Sequence, residues 1–150
     1  MGIFNIIWFI FFFGWLQSLV FLVLAAIFAA TIVGYPLAKS MMEMAKLSAF
    51  PFGKEVIKET ELKGTQNIST IRKIGGAIVN IVWFPIGLIL AIIFIFFGIL
   101  AFISILGIPV GIVYVRTAKF LISPVGAKVV NKKEAYAAAV ANELEKRATT

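Results

Sequence analysis

The stretch GIPVGIVYVRTAKFLISPVGAKVV, residues 107–130, has a near copy in GYPLAKSMMEMAKLSAFPFGKEVI, residues 34–57. An offset of 73 aligns the two stretches without a gap, and seven of the 24 aligned positions are identical. The identical pairs are Gly34 and Gly107, Pro36 and Pro109, Ala45 and Ala118, Lys46 and Lys119, Pro51 and Pro124, Gly53 and Gly126, and Val56 and Val129. Because Asn-Ile-x-Trp-Phe also precedes both, at residues 5–9 and 80–84, the sequence predicts a tandem duplicated repeat. Duplicated membrane modules commonly pack about a pseudo-two-fold axis.

Both copies follow a long stretch without a charged residue. None of residues 1–38 and none of residues 74–115 is Asp, Glu, Lys or Arg. Each stretch is longer than the roughly 20 apolar residues that span a bilayer core, and a soluble helix of that length would need a polar face. The chain is therefore predicted to be an all-α integral membrane protein. The first stretch is too long for a signal peptide and is predicted to be retained.

Several of these motifs carry a family resemblance. The segment YPLAKSMMEMAKLSAFPFGKEVI at residues 35–57, with Gly-Ile-Pro-Val-Gly-Ile at residues 107–112 and Ser-Pro-Val-Gly at residues 123–126, resembles the YccF family of small bacterial inner-membrane proteins. That family is built from two copies of an inner membrane component domain, and the resemblance covers roughly residues 1–130. It implies a location in the bacterial inner (cytoplasmic) membrane and brings no established reaction, substrate or catalytic residue.

Each apolar stretch is long enough for a helical hairpin with two crossings or for one kinked span, since a helix rises about 1.5 Å per residue. Turn signals lie at residues 14–18 in the first stretch and at residues 84–87 or Gly98 in the second. All 14 Lys and Arg fall within residues 39–73 and 116–147, and the positive-inside rule places both regions in the cytoplasm. Hairpins with parallel repeats meet that condition, so we predict hairpins.

After each Gly-x-Pro motif we predict an amphipathic interfacial helix, because proline is tolerated in the first helical turn. Lys39, Glu43 and Lys46 share one face of the first helix, and Arg116 and Lys119 share one face of the second. The basic faces would meet lipid headgroups, and the opposite apolar faces would lie in acyl chains. The four basic residues are therefore candidate contacts for anionic headgroups or another anion. The alternative is that the lysines only mark the membrane surface by snorkelling.

Two opposite charges, Glu43 and Arg116, occupy the same position in the two copies. Symmetric packing would let them meet across the axis. The simpler alternative is an ion pair between Glu43 and Lys39 or Lys46 within one helix.

A second matched pair, Asn5 and Asn80, places an amide in each apolar stretch. Such an amide predicts either a hydrogen bond to another segment or a polar lining of a pore. Trp8, Trp15 and Trp83 are predicted to lie in the interfacial aromatic belt. The predicted helix breaks are Gly34, Pro36, Pro51, Gly53, Gly107, Pro109, Pro124 and Gly126.

The chain divides into four predicted parts. These are membrane repeat 1 at residues 1–57, a polar cytoplasmic loop at residues 58–73, membrane repeat 2 at residues 74–130 and a charged helical tail at residues 131–150. Residues 54–73 and the C-terminus are predicted to be cytoplasmic. Asn131 and Glu134 have the spacing of a capping box at the start of the tail helix.

The composition argues against an enzyme. The chain has no cysteine and no histidine, and all seven acidic residues are glutamates outside the apolar stretches. No catalytic, cofactor-binding or metal-binding residue is predicted, because convergent polar groups are missing. Nucleic acid is a poor partner for the net charge of +7, since no soluble domain carries that charge, whereas anionic headgroups are a good one.

Two functions fit these observations. The first is a structural, lipid-organising membrane component that forms a homo-oligomer. The second is a passive oligomeric channel or transporter component, in which a basic cytoplasmic vestibule would favour anions.

Overall fold

The computed structural model describes residues 2–32, 34–63 and 68–149, and residues 64–67 of the predicted polar loop lie outside the described residues. The chain is mostly helical. Its helices are α1 (Gly2–Phe11), α2 (Gly14–Ala29), α3 (Tyr35–Ala49), α4 (Glu59–Lys63), α5 (Thr70–Phe102), α6 (Ile108–Ile122) and α7 (Lys132–Ala148), with a 3₁₀ turn at Ile105–Gly107. Its strands are β1 (Lys54–Lys58) and β2 (Ala127–Asn131).

Two helical hairpins form the apolar part of the molecule, α2 with α3 and α5 with α6. Both hairpin loops close in the same way. The Thr31 hydroxyl accepts a hydrogen bond of 3.0 Å from the Gly34 amide, and the Ser104 hydroxyl accepts one of 3.0 Å from the Gly107 amide. A proline then stands in the first turn of α3 and of α6, where its missing N–H removes no helical hydrogen bond.

The turns predicted inside the second apolar stretch are not formed. Residues 84–87 and Gly98 lie within α5, which runs unbroken through Pro85, because apolar helices with packed neighbours tolerate proline. Each hairpin instead pairs an apolar helix with the helix that follows the Gly-x-Pro motif. By length and composition α5 can cross a membrane. Helices α1 and α2 are a second candidate only as one broken span, since they are bent by 75° at their junction.

The bend between α1 and α2 follows from the spacing of a tryptophan and a glycine. In α5, Trp83 and Gly87 are four residues apart, lie on one helix face and meet one backbone carbonyl of α6. Trp8 and Gly14 meet one carbonyl of α3 in the same way, but they are six residues apart. A continuous helix would place residues six apart on different faces. The chain therefore breaks between α1 and α2, where Phe13 has a φ of 53°.

A two-stranded antiparallel sheet joins the two halves, which corrects the all-α prediction. Gly53 and Gly126 lead into the strands with φ of 90° and 89°, a left-handed conformation that glycine adopts without strain. The register pairs Val56 with Val129 at its centre, and the sequence alignment matches the same two valines. A two-fold rotation at this pair superposes the ladder on itself.

The loop of each hairpin lies beside the open end of the other. Phe28, next to the first loop, packs its ring 6.0 Å from that of Trp83, which lies beside the last turn of α6. Trp8, at the open end of the first hairpin, belongs to one apolar cluster with Val110, which lies in the first turn of α6 next to the second loop. The two hairpins therefore point in opposite directions.

The tryptophan prediction is wrong for two of three residues. Trp8 and Trp83 are only 1% and 7% exposed, and each indole N–H donates to a backbone carbonyl, at 2.7 and 2.9 Å. Since a buried indole N–H needs an acceptor, each tryptophan fixes its own helix against the helix that supplies the carbonyl. Trp15 is exposed on α2.

The core lies under the sheet, where α3 and α6 are most buried. Met41, Met44 and Leu47 of α3 have no exposed surface, and Phe120 and Leu121 of α6 have almost none. The predicted apolar faces of the two interfacial helices therefore pack against protein rather than acyl chains. The reason is that each helix has an apolar partner, α2 or α5, across its hairpin.

Candidate functional site

A cavity of about 500 Å³ opens between the first half of α3, the start of α5 and the turn before β2. That size is typical of a small-molecule site. Basic side chains from four elements line it: Lys39, Lys58, Arg72, Lys73 and Lys128. The cavity therefore brings together basic side chains from segments that are distant in the sequence.

Small residues of α5 keep the cavity open. Gly75, Gly76 and Ala77 lie in its wall. A Cβ at Gly75 would have no atom within 4 Å, whereas a Cβ at Gly76 would lie 3.2 Å from a side-chain carbon of Val125. Gly75 is thus a position where a larger side chain can be introduced without a clash at Cβ.

The lining carries a net charge of +3, from five basic side chains and the carboxylates of Glu43 and Glu59. Glu59 is buried, and its carboxylate lies 3.3 Å from the Lys63 ammonium and 3.5 Å from the Arg72 guanidinium. Glu43 pairs with Lys46 at 2.9 Å. Because Lys46 and Lys63 lie outside the lining, both acids are partly neutralised from outside the cavity.

Glu43 also links the two halves of the chain. One carboxylate oxygen accepts from Lys46 and lies 3.7 Å from the Lys128 ammonium, and the other accepts from the Val129 amide at 3.0 Å. Burial raises the pKa of Glu43. The hydrogen bonds from Lys46 and Val129 and the charges of Lys46 and Lys128 outweigh burial, so the pKa lies below its ordinary value of 4.5. The carboxylate is therefore ionised at neutral pH.

Arg116, at the position aligned with Glu43, binds the first half in turn. Its guanidinium donates to the Lys54 carbonyl at 2.6 Å and lies 3.8 Å from the Glu55 carboxylate. Within the described part of the chain, no ion pair joins Glu43 to Arg116. The alternative prediction, a pair between Glu43 and Lys46 in one helix, is confirmed. Each residue thus contacts the strand of the opposite half.

The four predicted headgroup contacts are not brought together. Lys39 lines the cavity, with its ammonium 4.8 Å from the centre of the Tyr35 ring. Lys46 is a partner of Glu43, and Lys119 is exposed on α6 away from the cavity lining. Arg116 is half-buried against β1.

Sequence reasoning missed Lys58, Arg72 and Lys128 as members of one site. Helical periodicity relates residues of the same helix, and no spacing rule relates α3 to β1, β2 and the start of α5. The available signal was coarse: all three belong to the two basic regions that the positive-inside rule assigns to one side.

Asn5 and Asn80 hold the turns that precede the strands. Asn5 accepts from the Phe52 amide at 2.9 Å and donates to the Phe52 carbonyl at 3.1 Å. Asn80 forms the same two bonds with Val125, each 2.9 Å long. An amide that satisfies both backbone groups of one residue restrains that turn. These contacts fit the packing role, although Asn80 also lines the cavity.

The eight predicted breaks lie in two kinds of turn. Gly34, Pro36, Gly107 and Pro109 stand at the start of α3 and α6, and Pro51, Gly53, Pro124 and Gly126 stand between those helices and the strands.

Known proteins match the chain at the level of domain and of whole sequence. The family model YccF, described as an inner membrane component domain, matches residues 3–54 and 78–127. Two curated proteins named Inner membrane protein YccF, from Escherichia coli (strain K12) and Shigella flexneri, are each 36% identical over 130 residues. Those residues are 86% of this chain and 87% of each relative. No solved structure matches.

Proposed function

The chain belongs to the YccF family of inner membrane component domains, and from this premise we propose that it is a structural, lipid-organising component of the bacterial inner membrane. It acts as a shallow wedge, inserted from one side of the bilayer. Neither the family description nor the names of the relatives include an enzymatic activity, in keeping with a non-enzymatic role.

The distribution of charge over the molecule carries this proposal. Helices α1 and α2 hold no charged residue, and α5 holds only Arg72 and Lys73, both in its first turn. The other charged residues belong to the sheet and to α3, α4, α6 and α7. Asn142 of α7 donates to the Glu61 carbonyl of α4 at 2.7 Å, so the two charged helices meet. A charged region around the sheet thus carries two apolar arms, α1 with α2 and the part of α5 after its first turn, that hold no charged residue.

The opposite directions of the hairpins limit how the molecule lies in a bilayer. If both stood along the membrane normal, the apolar surface of one would leave the acyl chains. If both lie obliquely in one leaflet, with the two-fold axis along the normal, both apolar surfaces stay in hydrocarbon and the sheet stays in water. Helix α5 is about 50 Å long at 1.5 Å per residue, so a bilayer core of roughly 30 Å requires it to tilt.

The hairpin loops fit this oblique placement. Ile32 and Ile105, in the two loops, are 96% and 86% exposed, as expected for side chains that contact lipid. The hydroxyls of Thr31 and Ser104 bind backbone groups within the same loops. Internal hydrogen bonds of this kind lower the cost of placing a loop in hydrocarbon.

The same placement defines topology and partners. With the axis along the normal, membrane repeats 1–57 and 74–130 have the same orientation, and the positive-inside rule puts the sheet, residues 54–73 and the tail at 131–150 in the cytoplasm. Anionic lipids are the proposed partners of the basic face. The exposed apolar surfaces of α2 and α5 are available to further copies of the chain in a homo-oligomer.

Cysteine labelling tests the oblique placement, because the chain has no cysteine of its own. Ile32→Cys and Ile105→Cys are expected to resist a membrane-impermeant maleimide applied to either side of inner-membrane vesicles. Glu143→Cys, on exposed α7, is the control and should react only from the cytoplasmic side. Labelling of either loop cysteine from the periplasmic side would show a full crossing and overturn the wedge.

Reconstitution separates the wedge from the channel. Purified protein added to liposomes with anionic lipid is expected to tubulate the vesicles, seen by electron microscopy, without raising ion flux. Asn5→Leu and Asn80→Leu serve as diagnostic variants, since a channel lined by these amides would lose flux in both. Flux in the wild-type chain that these changes abolish, without tubulation, would establish the channel instead.

A further inference from the structure

We propose that the cavity between α3 and α5 binds one phosphate-bearing headgroup of an anionic phospholipid, phosphatidylglycerol being the simplest example. The inference deepens the proposed lipid-organising function and rests on it for the membrane setting. It assigns the headgroup to one place in the molecule rather than to the basic surface as a whole.

The charges of the cavity favour a phosphate ester. Lys39, Lys58, Arg72 and Lys128 approach it from α3, β1, α5 and β2, so an anion in the centre could receive hydrogen bonds from several directions. Such bonds to ionised partners are about twice as strong as neutral ones. Arg72 offers the planar fork that matches phosphate oxygens.

The two acids of the lining do not cancel this charge. Glu43 is held by Lys46 at 2.9 Å and by the Val129 amide, and the lining residue Lys128 lies farther from it, at 3.7 Å. Glu59 is held by Lys63 as well as Arg72. Lys46 and Lys63 lie outside the lining, so part of the neutralisation comes from residues outside the cavity. A positive excess is left for a ligand.

The surroundings favour a lipid over free phosphate. The cavity also borders apolar surface, because Tyr35 and Pro36 at the start of α3 line it and the hairpin loop just before them carries Ile32, which is 96% exposed. A charged site that opens beside an apolar loop matches an amphiphile whose phosphate enters the cavity while its acyl chains lie along that loop. The cavity volume of about 500 Å³ suits a headgroup without the chains.

The cavity is predicted to hold one ligand per chain, because the other half of the molecule lacks its chemistry. Lys39 and Ser40 align with Ile112 and Val113, and Val113 is buried. Glu43 aligns with Arg116, whose guanidinium already donates to the Lys54 carbonyl in the first half. The two halves share their turns and anchors, but only one has a polar cavity wall on its second helix.

The test counts bound lipid on the full-length chain in mild detergent by native mass spectrometry. Phosphatidylglycerol and phosphatidylcholine are titrated separately, and inorganic phosphate is titrated by calorimetry. The expected result is retention of one phosphatidylglycerol per chain, with phosphatidylcholine and inorganic phosphate bound at least tenfold more weakly. Equal binding of inorganic phosphate would overturn the lipid assignment, and absence of phosphatidylglycerol retention would overturn the site.

Variants locate the site. Lys39→Gln and Arg72→Gln are each expected to weaken phosphatidylglycerol binding about tenfold, the effect of one lost charge-assisted hydrogen bond. Gly75→Leu fills the cavity at a position with no atom within 4 Å of a new Cβ and is expected to abolish retention while circular dichroism shows an intact fold. Lys119→Gln and Lys133→Gln are matched controls on exposed basic residues outside the lining.

Equal losses in the cavity variants and the surface controls would show nonspecific attraction and overturn the site. Loop labelling and vesicle tubulation do not depend on the cavity. A chain that retains phosphatidylglycerol through Lys39 and Arg72 but whose loops are labelled from the periplasm would therefore uphold the site and overturn the wedge.

Discussion

Replacing Gly87 by alanine is expected to lower the free energy of unfolding by about 2–4 kcal/mol. A Cβ at this position would lie 2.3 Å from the Leu121 carbonyl oxygen and 2.7 Å from Nε1 of Trp83. The methyl group must push α6 away and break the hydrogen bond of 2.9 Å between those two groups. Overpacking and an unpaired buried N–H both destabilise, and the better helix propensity of alanine offsets about 1 kcal/mol at most.

The matched control for this substitution is Gly75→Ala in the same helix. A Cβ there meets no atom within 4 Å, so the change is expected to be neutral or to stabilise by about 0.5–1 kcal/mol. Gly14→Ala should behave like Gly87→Ala, because its Cβ would lie 2.9 Å from the Ser48 carbonyl. Unfolding by denaturant in detergent micelles, followed by tryptophan fluorescence, measures all three. Equal stability of Gly87→Ala and wild type would contradict the close approach of α5 and α6.

Removing the Glu43 side chain is the second large effect. Glu43→Ala is expected to cost about 2–3 kcal/mol, because it leaves the Val129 amide and the Lys128 ammonium without their acceptor beside the core. Glu43→Gln keeps an oxygen for Val129 and should cost less. Glu145→Ala, in exposed α7, is the control and should stay within about 0.5 kcal/mol of wild type. A loss in Glu43→Ala no larger than in this control would contradict the link.

The lowered pKa of Glu43 predicts the pH dependence of this contribution. The folded state binds the proton of this carboxyl less readily than the unfolded state, so the stabilisation is complete above the ordinary value of 4.5. It is lost as the pH falls below 4.5 and through the lowered pKa. Glu43→Gln should therefore differ most from wild type at neutral pH and approach it in acid, which unfolding curves at several pH values will show.

Charge reversal separates this link from a direct pair with Arg116. Arg116→Glu would point a carboxylate at the Lys54 carbonyl that the guanidinium now binds, and Glu43→Arg would face the Val129 amide. The double reversal is therefore expected to be at least as unstable as the sum of the two single changes. Recovery of stability in the double variant would instead show that the two side chains meet.

Local signals in the sequence predicted much of the helical pattern. The Gly-x-Pro motifs predicted the starts of α3 and α6, and the capping box of Asn131 and Glu134 is present at the start of α7. These features depend on residues a few positions apart. The continuity of α5 through Pro85 was not predicted, because a proline and a glycine in an apolar stretch also fit a turn.

The candidate site could not be predicted from such local signals. Lys39 was singled out for its place on a basic helix face, but its neighbours Lys58 and Lys128 come from strands that pair across more than 60 residues of chain. The turn signal at residues 14–18 lies beside the bend at Phe13, but the sequence predicted a hairpin there rather than a bend of 75°. The bend follows from tryptophan–glycine contacts made with other helices.

The sequence by itself determined that this chain is an apolar, charge-segregated membrane protein with two proline-started helices and a capped tail, because charge, hydropathy and turn chemistry act locally along the chain. Only the tertiary structure decided that those helices form the core, that the hairpins point in opposite directions and that one half opens a basic cavity. These outcomes depend on contacts between distant segments. Helices α3 and α6 are buried because α2 and α5 supply the apolar surfaces against which they pack. The residue pattern within α3 or α6 alone does not show whether its apolar face contacts protein or lipid.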